Sequence, residues 1–169
     1  KEKGYTFIHP FNDPDVIAGQ GTIGLEILEQ LPDVDVVVVP IGGGGLIAGV
    51  AYTIKQINPN CKVYGVQAAG APSMKNSVAD GKIETLKNVQ TIADGIAVKT
   101  PGTNTFELIK KYVDGIYTVS DDEIALAILT LMEQQKLVSE GAGAVPVAAV
   151  MNGKIPDIEG KKVCCLVSG

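Results

Sequence analysis

The run Pro40-Ile-Gly-Gly-Gly-Gly-Leu-Ile-Ala-Gly49 is the part of this sequence whose residue types and spacing most directly support chemistry. It lies between four consecutive valines, Val36 to Val39, and a helical repeat of Ile47, Val50, Ala51, Ile54 and Ile57. Four adjacent glycines strip every Cβ from a strand-to-helix turn. Backbone N–H groups can then converge at a helix N-terminus, where the macrodipole already favours an anion. A turn that merely packs strand on helix needs only one or two glycines, so the pattern points to phosphate capture. Gly43-x-Gly45-x-x-Ala48 meets the loose dinucleotide fingerprint, but the next strand runs out at Gln67-Ala68-Ala69 with no carboxylate for a ribose hydroxyl, which disfavours NAD. A triphosphate loop needs Lys-Ser/Thr after its last glycine, and Gly49 is followed by Val50-Ala51. What remains is a single phosphate monoester held mainly by backbone.

Other reactive side chains carry less. His9, the one histidine, is read as a turn or packing residue in preference to a general base. Cys61, Cys164 and Cys165 have no metal-ligand spacing, and the adjacent pair must face opposite sides of any strand. They read as small buried apolar residues in a reducing compartment. Asp121 and Asp122 follow Ser120 and precede Glu123; as first-turn carboxylates of a capped helix they need no further role.

The elements that position the glycine run follow from periodicity. Short aliphatic runs alternate with helical repeats, which predicts an α/β domain, three-layer αβα, with a mostly parallel sheet. Val36 to Val39 leave no polar face, so helices must cover both sides. Lys62 to Gln67, Gly115 to Val119 and Lys161 to Val167 are further strands, and Tyr5 to Ile8 a weaker one. Ile23, Ile27, Leu28 and Leu31 predict a helical face that Pro32 stops, and the Ile47 repeat ends before Asn58-Pro59. Ser120 to Glu123 form a capping box with a Val119–Ile124 staple, starting a helix that runs to about Lys136. Glu140 to Met151 predict a close-packed helix, with Pro146 tolerable only near its first turn and Gly153 as its stop. Ala68 to Ser73 and Asn88 to Asn104 are expected as surface loops.

The 169 residues suit one domain, with 46% apolar and 20% charged residues arguing against disorder. Fourteen basic residues, all lysine, stand against 19 acidic ones for a net charge of −5, so a nucleic-acid partner is not expected. No secretory segment opens the sequence and no apolar run nears the ~20 residues of a membrane span, so a cytoplasmic protein with no membrane partner is expected. Lys1 is not an initiator methionine, and Gly169 follows an apolar run; both ends are expected to be cuts.

Taken in order, PIGGGGLIAG, the upstream HPFNDPDVIAGQGTIGLEI, TIADG, VSDDEI, EGAGA and the terminal LVSG resemble the threonine and serine ammonia-lyases (dehydratases) of the fold type II pyridoxal-phosphate enzymes. The resemblance spans essentially the whole sequence and is nearest to the catabolic threonine ammonia-lyases, with serine racemases next. It implies pyridoxal 5'-phosphate as cofactor, gripped at its phosphate by Gly42, Gly43, Gly44, Gly45 and Leu46, with Ser168 meeting the pyridine nitrogen. A supporting role in the cofactor cavity for Glu140 stands beside simple helix N-terminal stabilisation, and Asp94 is a candidate to shape the same cavity. The family's Schiff-base lysine lies in a Ser-x-Lys-x-Arg-Gly segment, which this sequence lacks, as it does the Ser-x-Gly-Asn-His loop of the small domain. The resemblance therefore implies that residues 1–169 form a single domain, the C-terminal portion of the large cofactor domain, with no catalytic residue of its own and no activity alone. Serine racemases hold a divalent cation where this sequence has Gln67, Ala71 and Ser73, whose neutral oxygens suit a hard dication poorly; no metal is expected. The implied substrate is threonine or serine and the parent a homo-oligomer. The alternatives are a serine racemase or serine dehydratase, and a non-catalytic phosphate-binding module.

Overall fold

The computed structural model describes residues 4–169; Lys1 to Lys3, on which one reading of the chain ends falls, lie outside the described residues. The aliphatic runs form one all-parallel sheet of β1 (Val36–Pro40), β2 (Lys62–Ala68), β3 (Gly115–Val119) and β4 (Val163–Cys165), in the order β3-β2-β1-β4. β1 is central, pairing Val36 with Lys62 on one side and with Val163 on the other. Each of its residues is buried, as an uninterrupted valine run requires. Val37 and Val39 pack with Ile47, Ile54, Phe106 and Ile109 on one face, and Val36 and Val38 with Ile124, Ala148 and Ala149 on the other. The sequence thus dictates a three-layer α/β sandwich.

On the first face lie α1 (Pro14–Gln30), α2 (Gly45–Ile57) and α4 (Thr103–Tyr112), with α3 (Ser73–Asp80) beside α4. α5 (Asp121–Thr130) and α6 (Gly141–Met151) cover the second face. Asp13 caps α1 by accepting from the Asp15 amide at 2.9 Å, with Pro14 as first helical residue. The face expected from Ile23, Ile27, Leu28 and Leu31 is only the flank of the buried stripe. Ile17, Gly21 and Gly24 are buried instead, and Leu31 is exposed. The cause is the closeness of α1 to α2: a Cβ on Gly24 would stand 3.0 Å from the Val50 carbonyl oxygen and 3.1 Å from the Thr53 Cβ. Larger side chains are left for the rims.

The capping box of α5 is complete, with Glu123 N–H donating to Ser120 Oγ at 3.2 Å and Ser120 N–H to Glu123 Oε2 at 2.8 Å. Pro146 is the sixth residue of α6, deeper than its chemistry favours. Burial of the helix on nearly all sides, from Gly141 through Pro146 and again at Ala148 and Ala149, offsets the hydrogen bond it removes. The helix closes as expected: Gly153 takes φ 62° and donates to Val150, and Lys154 donates to Ala149.

Four expectations need correction. Tyr5 to Ile8 is not a strand; Tyr5 and Phe7 are about four-fifths exposed, and no strand among the described residues pairs with them. β4 is limited to the three residues that pair with β1, not the whole of Lys161 to Val167. The segments 68–73 and 88–104 are surface loops only in part: Ala68 ends β2, Ser73 opens α3, Thr103 and Asn104 open α4, and Ala71, Ser73 and Ala93 are fully buried. They fold inward because the apolar residues they carry complete the rims of the two cores. α3 and α4, short and led by polar residues, carry no expectation from the sequence at all.

The adjacent cysteines do face opposite layers, Cys164 toward the α1/α2 side and Cys165 toward the α5/α6 side. All three cysteines are free. Burial pushes the Cys61 thiol up to about 11 and Cys165 up to about 12, so both stay protonated and unreactive at neutral pH. Among the described residues no helix is long and apolar enough to cross a membrane.

Asp114 ties α2 to the sheet. Its carboxylate pairs with Lys55 at 2.7 Å and Lys62 at 3.0 Å and accepts from the Val63 amide at 2.8 Å. Burial alone would raise its pKa, but these three donors outweigh it and hold the carboxyl below its ordinary value. A depressed folded pKa gives stability that is present above the unfolded value and lost as pH falls through the folded one. Asp114→Asn is therefore expected to lower the urea midpoint at pH 7, with the gap to the parent closing as pH falls below 3.8. A gap that is constant with pH would mean that ionisation of Asp114 does not contribute.

Candidate functional site

The strand order reverses at β1. From β1 the chain winds outward through β2 to β3, and then returns to place β4 on the other side of β1. In open parallel sheets the crevice beyond the C-terminal strand ends at such a reversal is where ligands bind. Here the two strand ends release Gly42 to Leu46 after β1 and Leu166 to Gly169 after β4. A cleft of about 580 Å³ opens between them, within the usual range for small-molecule pockets. Its lining includes all four glycines, Leu46, Ser168, Glu140, Phe11 and Gly95. First-turn residues of both α2 and α6 line it, so two helix N-termini favour negative charge there.

The glycine loop is shaped by close packing and by one unusual dihedral. Gly44, the cap of α2, adopts φ 99°, and a Cβ there would stand 2.8 Å from Met74 Cε and 2.9 Å from Ile109 Cδ1. A Cβ on Gly43 would enter the Phe11 ring, and one on Gly45 would stand 2.8 Å from the Phe11 carbonyl oxygen. Packing thus explains three of the glycines. It does not explain the amides. Gly43, Gly44 and Gly45 are buried, and among the described residues nothing accepts a hydrogen bond from the N–H groups of Gly42 to Leu46. The first N–H groups of a helix have no intrahelical acceptor and take a partner from outside it. A row of them at a helix N-terminus, on residues that line a cleft, fits a phosphate group.

Phe11 is held in place by a turn. His9 Nδ1 accepts from the amides of Phe11 at 3.4 Å and Asn12 at 3.1 Å, and the two rings meet edge to face at 4.5 Å. His9 is therefore a turn residue, as expected. Asn12 fastens the same turn to α4, accepting from the Asn104 amide at 2.8 Å and donating to Thr103 Oγ1 at 3.0 Å.

The structure brings Gly42 to Leu46, Ser168 and Glu140 to one cleft. Asp94 is not among its lining residues; exposed, it accepts from the Gly95 amide at 3.0 Å, and it is Gly95 that reaches the cleft. A Cβ on Gly95 would stand 3.2 Å from Ala142 Cβ and 3.3 Å from Glu140 Oε1, so that glycine sets how closely the TIADG turn approaches α6. Asp121, besides opening α5, accepts from the Ile92 amide and steadies the same turn. Gln67 is fully buried and engaged at both ends, donating to the Ile41 carbonyl at 3.3 Å and accepting from the Lys75 amide at 2.9 Å. No cluster of histidine, cysteine or carboxylate side chains able to hold a metal occurs among the described residues. Phe11, Asn12 and Gly95 were missed by sequence reasoning, although the first two lie in the HPFND segment and the third in TIADG.

Residues 1–169 match in full a family model described as pyridoxal-phosphate dependent enzyme. The chain belongs to this family. An L-threonine ammonia-lyase of Thermotoga maritima is 61% identical over the whole chain, which spans 42% of that relative's length. The fold overlays the processed form of threonine deaminase isoform 2 from Solanum lycopersicum with a TM-score of 0.92 at 42% identity, covering 99% of this chain and 49% of that one. It also overlays a maize serine racemase with a TM-score of 0.94 at 39% identity, covering 99% and 52% respectively. The cofactor that gives the family its description carries one phosphate monoester. That is the ligand class the glycine run pointed to.

Proposed function

We propose that the chain is the C-terminal portion of the large domain of a threonine ammonia-lyase, which converts threonine to 2-oxobutanoate and ammonia by α,β-elimination. The observation that carries the reading is the row of unpartnered amides at Gly43, Gly44 and Gly45, on residues that line the cleft where the strand order reverses. The names of the similar proteins supply the substrate. Bound pyridoxal phosphate supplies an aldehyde for the substrate amine and a ring that draws electrons from Cα. Gly42 to Leu46 hold its phosphate through backbone N–H groups. Ser168, on the far wall of the cleft, offers a hydroxyl to the pyridine nitrogen. A hydroxyl does not keep that nitrogen protonated as a carboxylate would, which suits loss of a β-hydroxyl better than transamination. Glu140 places a carboxylate at the N-terminus of α6 beside the Gly95 turn, and Asp94 supports that turn from outside. Phe11 closes the side of the glycine loop and excludes water there.

The overlay on serine racemase favours a second reading, a serine racemase or dehydratase. Gln67 speaks against the racemase: at the position of the expected metal carboxylate it is neutral and already committed to Ile41 and Lys75. A cytoplasmic, self-associating parent protein with an amino-acid substrate completes the proposal.

None of the fourteen lysines lies in a Ser-x-Lys-x-Arg-Gly segment. Treated with pyridoxal phosphate and then borohydride, the chain is expected to show no stoichiometric label on any one lysine by peptide mass. The full-length protein is expected to release ammonia and 2-oxobutanoate from threonine. A single fully labelled lysine in this chain, or D-serine as the main product of the full-length protein, would overturn the proposal.

A further inference from the structure

We infer that Thr105 is a positioning residue for the phosphate seat: its hydroxyl holds the Gly43 carbonyl toward α4 and thereby turns the Gly44 amide into the cleft. The inference rests on the phosphate-binding reading of the glycine loop. Thr105 is fully buried in the first turn of α4, 62 positions beyond the glycine it touches. Its Oγ1 lies 2.7 Å from the Gly43 carbonyl oxygen and 3.1 Å from that of Gly102. A hydroxyl has one proton, and the shorter distance gives it to Gly43. The Gly102 amide adds a longer bond, 3.3 Å, to the same oxygen.

Two acceptor sites on one carbonyl are thus satisfied from the α4 side. The chain contains no cis peptide bond among the described residues, and in a trans peptide the N–H points opposite to the preceding C=O. Fixing the Gly43 oxygen toward α4 therefore sends the Gly44 N–H the other way, to the side where Gly43 and Gly44 line the cleft. The peptide between two glycines has no side chain to resist a flip, so an outside anchor is required. Without it the carbonyl can turn inward and present a negative dipole to an anion. Thr105 does not itself line the cleft, so it acts through the backbone and touches no ligand.

The test compares pyridoxal phosphate with pyridoxal, which lacks the ester, by equilibrium titration of the chain. The parent chain is expected to bind the phosphorylated form more tightly. Thr105→Val keeps the shape and removes the hydroxyl; it is expected to weaken pyridoxal phosphate binding about tenfold, with pyridoxal unchanged. Thr105→Ser is expected to restore the parent affinity within about twofold. In the parent chain, titration with inorganic phosphate is expected to move the Gly44 amide resonance, a readout that needs no variant to fold. Equal weakening for both ligands in Thr105→Val, a retained phosphate preference, or a Gly44 resonance that stays still while its neighbours move would each overturn the inference. If the parent chain itself shows no preference for the phosphorylated ligand, the phosphate-binding reading falls and the role of Thr105 with it.

Discussion

Gly44→Ala is expected to weaken pyridoxal phosphate binding by about a hundredfold or more while leaving most of the fold in place. At φ 99° an L-residue is strained whatever the space around it, at a cost of about 1–2 kcal/mol. The added methyl also meets Met74 Cε at 2.8 Å and Ile109 Cδ1 and Thr105 Cβ at 2.9 Å, all from side chains that are buried. The cheapest escape is rotation of the backbone toward negative φ, which swings the peptide planes on either side of residue 44. Two amides that converge on the seat then diverge. Each hydrogen bond to a charged group is worth about 1.5–3 kcal/mol, so losing two gives the stated effect. Gly19→Ala is the matched control, since a Cβ at Gly19 meets nothing within 4 Å. Equal affinity in Gly44→Ala and the parent, measured by titration, would show that the loop's conformation does not set the seat.

Gly49→Ala is expected to lower stability by about 2–3 kcal/mol, the upper part of the range for overpacking, because the contacts are with rigid backbone. A Cβ at Gly49 would run into the Ile17 carbonyl oxygen and stand 2.7 Å from the Gly21 nitrogen and 3.0 Å from the Gln20 carbonyl carbon. All three belong to the backbone of α1, so no side chain can rotate to relieve them. The whole helix must shift on α2. Alanine recovers about 1 kcal/mol of helix propensity over glycine, which the clash outweighs. For a domain of this length the expected fall in Tm is about 5–10 °C. A calorimetric Tm equal to or above that of the parent would mean that the helix pair has slack the geometry does not reveal.

The sheet and the glycine turn at the cleft were legible because each rests on a local pattern. Val36 to Val39 leave no polar side to turn toward water, and four adjacent glycines mark a turn whose backbone is closely approached, as the packing of Phe11, Met74 and Ile109 around it shows. The capping box of α5 and the Gly153 stop of α6 were equally plain, since a cap depends on residues within a turn or two of each other. The buried stripe of α1 was misjudged because hydrophobic periodicity marks large side chains, whereas the tightest contact with α2 is made by Gly21, Gly24 and Gly49, which have none. Phe11 and Thr105 escaped notice for another reason. Their roles depend on meeting Gly43 across the fold, at separations that no spacing rule covers. Resemblance supplied Ser168 and Glu140, which nothing in their immediate neighbours would have singled out.

The position of β4 has a consequence for how the cleft holds together. Its entry is fixed by the Lys162 amide on Asp35, 127 positions away, and its register with β1 begins at Val36 and Val163. The pairing is non-local, so no short-range sequence pattern can encode it. Ser168 reaches the wall of the cleft by way of that pairing. The two walls of the cleft are therefore joined through the β1–β4 pairing, and a ligand that touches both walls is linked to the integrity of that pairing.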